Sequence, residues 1–132
     1  MDIRLIIIHI IHILIRLYII LYALIIKDNK YDFIYLLFLY LIIFQWLFLK
    51  GECLFAYLYK KIKNNNYELG SDLIHDDFYD LFGEYYTLMR NIIGVLYFYN
   101  IYILYKRNDN YRCMIIILII LFIFIKYIYK HN

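Results

Sequence analysis

Three groups of residues in this 132-residue chain have the types and spacing to do chemistry. His9, His12 and Arg16 recur at i, i+3 and i+7, so they share one face of any helix that carries them. Glu52 and Cys53 put an acid and a thiol side by side within an otherwise apolar stretch, LKGECLFAYLYKK, at residues 49–61. Asp76, Asp77 and Asp80 fall in the run DDFYD. Imidazole, carboxylate and thiol together supply proton transfer, nucleophilic attack or zinc ligation. Aspartates crowded on a short segment supply hard oxygens for magnesium.

Each group has a structural alternative. His9, His12 and Arg16 also suit hydrogen bonding inside a helical bundle, with Asn100 at matching depth as the expected partner of Arg16. Haem would need histidines on facing helices, whereas His9 and His12 lie on one helix, His75 in a loop and His131 in the tail. Depth matching groups His9, His12, Gln45, Trp46, Glu52, Cys53, Arg90 and Asn91 on one side, yet no CxxC or HExxH spacing marks a zinc site. Thiol redox chemistry lacks a second nearby cysteine, because Cys113 opens the last span on the opposite side. Ser71 has no GxSxG setting. The DDFYD run resembles the DDxxD motif of prenyl-diphosphate enzymes, which implies magnesium and a diphosphate at Asp76, Asp77 and Asp80. The alternative is a solvated stripe of Asp72, Asp76 and Asp80 near a helix N-terminus. The candidate catalytic set is His9, His12, Glu52 and Cys53, and no cofactor is expected.

What must position these residues follows from composition. Apolar residues make up 66% of the chain and the mean hydropathy is +0.65, above the range of a soluble domain. The net charge of +3 is scattered among hydrophobic runs, which excludes a nucleic-acid footprint. Isoleucine, tyrosine, phenylalanine, asparagine and lysine share AT-rich codons, so the 18 tyrosines read first as nucleotide bias. The N-terminus opens with an acid and carries Arg16 mid-run, the pattern of a retained anchor rather than a cleaved signal.

Four continuous apolar segments, 5–26, 33–49, 88–105 and 113–129, match the roughly 17 to 25 residues needed to cross a bilayer. In the last of them Lys126 must snorkel to the interface. The expected fold is all-α: a single-domain, up-down-up-down four-helix transmembrane bundle with short first and third connections. Eight basic residues then face five, favouring cytoplasmic termini. Residues 50–87 form the water-facing loop. Within it, residues 72–82 read as an amphipathic surface helix, with Leu73, Ile74, Phe78, Leu81 and Phe82 on its apolar side and Gly83 as its stop.

A histidine in the first helix (His9 or His12), Trp46 shortly before Cys53, and Tyr67 and Gly70 after it resemble an uncharacterised bacterial family of small four-helix membrane proteins. That family carries a CPLTPLE-like motif where this chain has CLFAYLY. The resemblance implies the four-helix fold and names no reaction. The AT-rich composition also resembles small membrane proteins of large DNA viruses. Three functions are expected: an interaction or membrane-organising protein, a small enzyme acting on a lipid or isoprenoid head group, or an oligomeric pore lined by His9, His12 and Arg16. The partners expected are the bilayer and either a second copy or another membrane protein.

Overall fold

The structure, a computed structural model, describes residues 2–73 and 75–130. Ile74 and His131, assigned above to the apolar face of the loop helix and to the tail, lie outside the described residues. The described residues form helices and connections only: α1 (Ile3–Ile25), α2 (Asp32–Phe48), α3 (Leu54–Lys63), α4 (Asp77–Phe82), a single 3-10 turn (Gly83–Tyr85), α5 (Tyr86–Arg107) and α6 (Arg112–Lys130).

Three runs are long and apolar enough to cross a membrane: α1, the nearly continuous stretch Asp77–Arg107, and Arg112–Tyr129. Helix α2 is apolar but shorter, 17 residues or about 26 Å at 1.5 Å per residue. Asp2 starts α1 by accepting the Arg4 N–H at 2.9 Å. Its last residues give way to a short polar turn, and Asp32 opens α2, where a carboxylate suits the helix dipole.

Helix α2 does not run on through 49–61. It ends in a Schellman motif, with the Gly51 N–H bonded to the Trp46 carbonyl at 2.7 Å and Lys50 in the left-handed region at φ 55°. Gly51 follows at φ 88°, and a Cβ there would stand 3.0 Å from the Tyr129 side chain. The reversal turns Glu52 and Cys53 back toward the bundle and lets α3 start afresh. Lys60, Lys61 and Lys63 lie in the last turn of α3, where cations suit its C-terminus.

The loop helix is also shorter than the expected 72–82. Asp76 caps α4 through the Tyr79 N–H at 3.0 Å, so helix begins only at Asp77. The residues before it are held otherwise: the Asp72 side chain accepts the His75 N–H at 3.2 Å, and the Asp72 carbonyl accepts from Tyr67 at 3.0 Å. Nor is the 50–87 segment simply water-facing. Tyr59 of α3 packs with Leu5 and Ile8 of α1, and Asp77 and Phe78 are buried.

Helices pack in two pairs, α1 with α5 and α2 with α6. Arg107, ending α5, donates to the Ile26 carbonyl just past α1 at 2.9 Å, while Asp77, shortly before α5, meets His12 in the first half of α1. These two helices therefore run in the same direction. So do α2 and α6, where the Tyr40 hydroxyl donates to the Met114 carbonyl (2.5 Å) and the Tyr129 hydroxyl to that of Leu47 (3.0 Å). The main core, including Leu36, Leu39, Leu104 and Leu118, lies between the pairs.

Asn100 is not the partner of Arg16. Its fully buried amide accepts the Ala23 N–H at 2.7 Å and donates to the carbonyls of Ile20 (2.6 Å) and Leu96 (2.7 Å), stapling α5 to the backbone of α1. At the same end Asp32, with 0% exposure, accepts from Arg107 at 2.6 and 2.7 Å, from Asn108 at 2.6 Å and from Tyr22 at 2.8 Å. Removing one side of such a pair strands the other charge. Asp32→Ala should cost about 2 to 3 kcal/mol, somewhat below a wholly buried pair because Arg107 keeps partial access to water. Thermal unfolding in detergent should show the lowered midpoint. The double change Asp32→Leu with Arg107→Met should recover much of the loss.

Candidate functional site

Glu52 and Cys53, adjacent in sequence, part company after the turn. Glu52 is 3% exposed. Its carboxylate accepts from Lys60 at 2.5 Å, from the Tyr67 hydroxyl, and from the Gly70 N–H at 3.1 Å. Lys60 also reaches the Asp72 carbonyl. Burial alone would push the Lys60 amine down, but the hydrogen bond and charge of Glu52 outweigh it and hold it above the ordinary lysine value. Glu52 is thus a clamp that gathers residues 50–72, turned away from His9.

Cys53 turns toward His12 instead. It occupies the N-cap position of α3, and its side chain lines the same two hollows as the His12 ring. His12 is 6% exposed, and its Nδ1 stands 2.7 Å from Oδ2 of Asp77, which has no exposure at all. A carboxylate at Nδ1 draws the proton there and leaves Nε2 free to accept another. The Arg16 guanidinium lies 3.7 Å from the same Asp77 oxygen and 4.5 Å above the Phe78 ring. Oδ1 of Asp77 is buried without a partner.

His9 serves elsewhere. Its Nε2 lies 3.3 Å from the Tyr59 hydroxyl, which donates to Asp80 at 2.7 Å, and Lys63 reaches the same Asp80 oxygen at 2.7 Å. Burial and the Asp80 carboxylate push the Tyr59 phenol up, so it stays a hydrogen donor. The DDFYD aspartates therefore diverge: Asp76 caps α4, Asp77 faces His12 and Asp80 faces Lys63. Among the described residues no group of three or more His, Cys, Asp or Glu is arranged to hold a metal ion. Burial pushes the Asp76 carboxyl above the usual range.

Two hollows meet at Cys53. A polar cavity of about 220 Å³ is lined by His12, Arg16, Cys53, Asp76, Arg90 and Lys126, among others. An apolar groove of about 220 Å³, walled by Ile15, Phe38, Leu41 and Ile42, shares His12, Trp46 and Cys53 with it. Of the residues grouped by depth, His12, Trp46, Glu52, Cys53 and Arg90 surround the cavity and Gln45 lines the groove, whereas Asn91 is on neither wall. No protein family, curated protein or solved structure matches this chain. Its chemistry is read from these side chains alone.

The ordering of thiol, imidazole and carboxylate suits a nucleophile activated by a general base that a third group orients. Asp77 is the member sequence reasoning assigned to another role. Its signal was the doubling of Asp76 and Asp77, since a cap needs only one of them. Burial pushes the Cys53 thiol up, but the neighbouring His12 imidazole brings it below the ordinary thiol value. In a Cys113→Ser background, Cys53 should alkylate with a midpoint below that of a free thiol. His12→Ala removes the lowering influence and leaves burial, so the midpoint should rise. Rates measured across pH by intact mass check this, and an unmoved midpoint would show thiol and imidazole to be uncoupled.

Proposed function

We propose that this protein is a multi-pass membrane enzyme in which Cys53 attacks an acyl carbonyl of a lipid at the bilayer surface, with His12 as general base and Asp77 as its orienting partner. The observation that carries this reading is that His12 and Cys53 belong to both hollows. An acyl chain lying in the apolar groove brings its ester carbonyl to the thiol while the head group occupies the polar cavity.

His12 takes the thiol proton as sulfur bonds to the carbonyl carbon, and the carbonyl π pair moves onto oxygen. Arg16 and the amides at the start of α3 supply positive field for that oxyanion. When the oxyanion collapses, the C–O bond to the head-group alcohol breaks and His12 returns its proton to the departing oxygen. The acyl group is left as a thioester on Cys53. Water or a second alcohol, deprotonated by His12, then releases it. Asp77 remains ionised and steadies the imidazolium.

In this reading α2 is a fourth span and the chain runs up-down-up-down, supported by the short connections at 26–31 and 108–111. The basic residues at the site end favour cytoplasmic termini. The resemblance to the CPLTPLE-like family is supported by where its positions fall: His12, Trp46 and Cys53 line the cavity, while Tyr67 and Gly70 both bond to Glu52.

Incubation of the reconstituted protein with a long-chain acyl thioester or a chain-labelled phospholipid should yield a hydroxylamine-labile acyl adduct on Cys53, read by peptide mass spectrometry. His12→Ala and Asp77→Asn should slow its formation by about a hundredfold or more. An adduct formed equally on Cys113, or unaffected by His12→Ala, would count against the enzyme reading and return weight to a purely structural bundle.

A further inference from the structure

Resting on the thiol-centred function proposed above, we infer that the substrate is an anionic, two-chain phospholipid whose phosphate is held between Arg90 of α5 and Lys126 of α6. The two cations line the same cavity as Cys53, and both also line a second groove. Among the described residues neither takes part in an ion pair with a carboxylate. The contacts they do make are with neutral groups: Arg90 donates to the Tyr86 hydroxyl at 3.5 Å, and the Lys126 ammonium lies 4.9 Å over the Trp46 ring.

Every other cation on the cavity wall is already matched: Lys60 by Glu52, and Arg16 by Asp77. Of the acids on the same wall, Glu52 is taken by Lys60 and Asp76 caps α4, so Arg90 and Lys126 have no carboxylate paired with them there. A phosphate bridging them supplies the missing anion and gains charge-assisted hydrogen bonds. A free phosphate would do the same, but the surroundings favour one that carries hydrocarbon.

A second apolar groove of about 220 Å³, walled by Leu39, Ile43, Tyr97 and Phe122, opens at Arg90 and Lys126. Trp46 borders the polar cavity and both grooves. One acyl chain therefore lies in the groove that ends at Cys53, and the other in the groove beneath the cation pair, with Trp46 between them. This arrangement gives selectivity twice, by charge at the head group and by the number of chains.

Trp46 is the single tryptophan of the chain and reports directly on both grooves. The full-length protein carrying Cys53→Ser, which binds without consuming lipid, is reconstituted with phospholipids brominated on their chains, and Trp46 quenching is followed. Brominated phosphatidylglycerol should reach half-maximal quenching at about a tenfold lower mole fraction than brominated phosphatidylcholine, a preference of about 1.4 kcal/mol. The double change Arg90→Gln with Lys126→Gln should bring the two lipids together, while Arg90→Lys, which keeps the charge, should preserve most of the preference. Millimolar inorganic phosphate should leave the quenching unchanged. Equal quenching by the two lipids, or reversal by inorganic phosphate, would overturn the inference. Selectivity that persists where no acyl adduct forms on wild-type Cys53 would sink the thiol chemistry alone and leave the lipid site standing.

Discussion

A carboxylate removed from water has to be met by a cation, and this fold is arranged around three such acids. Asp32, Glu52 and Asp77 have 0 to 3% exposure, and each is held by a basic group from another part of the chain. Asp32 with Arg107 closes one end of the bundle. Glu52 with Lys60 gathers the long segment after α2. Asp77 with His12 and Arg16 docks that segment onto α1. Apolar packing alone discriminates weakly among helix registers in a lipid environment, because tails and leucines are equally oily. The acid–base pairs supply the register that packing leaves open.

One of those pairs is shaped for more than docking. Glu52 is met on both oxygens, by Lys60 and the Tyr67 hydroxyl on one and by the Gly70 N–H on the other. Asp77 uses one oxygen for both His12 and Arg16 and leaves the other buried and unmatched. An unmatched buried oxygen is costly and is tolerated where the local arrangement does work other than packing. It sits behind an imidazole that lines the same cavity as the Cys53 thiol. The two features together set this corner of the protein apart from the clamps elsewhere.

Much of the framework was legible in the sequence. Apolar periods located α1, α5 and α6 within a few residues, and counting depth brought His12, Trp46, Cys53 and Arg90 to one side. The details that failed had local causes. Helix was expected from residue 72, but Asp76 caps α4 and the helix starts only at Asp77. Asn100 was matched to Arg16 by depth, yet depth says nothing about azimuth, and its amide went to backbone. The tyrosines were discounted as codon bias, whereas the hydroxyls of Tyr22, Tyr35, Tyr40, Tyr67 and Tyr129 link separate elements. Composition can come from nucleotide bias and still be put to structural use.

The pairing of α1 with α5 and of α2 with α6 carries a mechanical consequence. Both short connections between the pairs, at 26–31 and 108–111, lie at the Asp32 end, where Arg107, Asn108 and Tyr22 converge on one carboxylate. At the other end the pairs are joined by the much longer segment 49–85 and by side chains around Trp46. The molecule is therefore built like a clothes-peg, with its spring at Asp32 and its jaws at the Cys53 cavity. The lipid proposed above has its way in along the seam beside Trp46, at the end of the bundle away from the hydrogen bonds to Asp32.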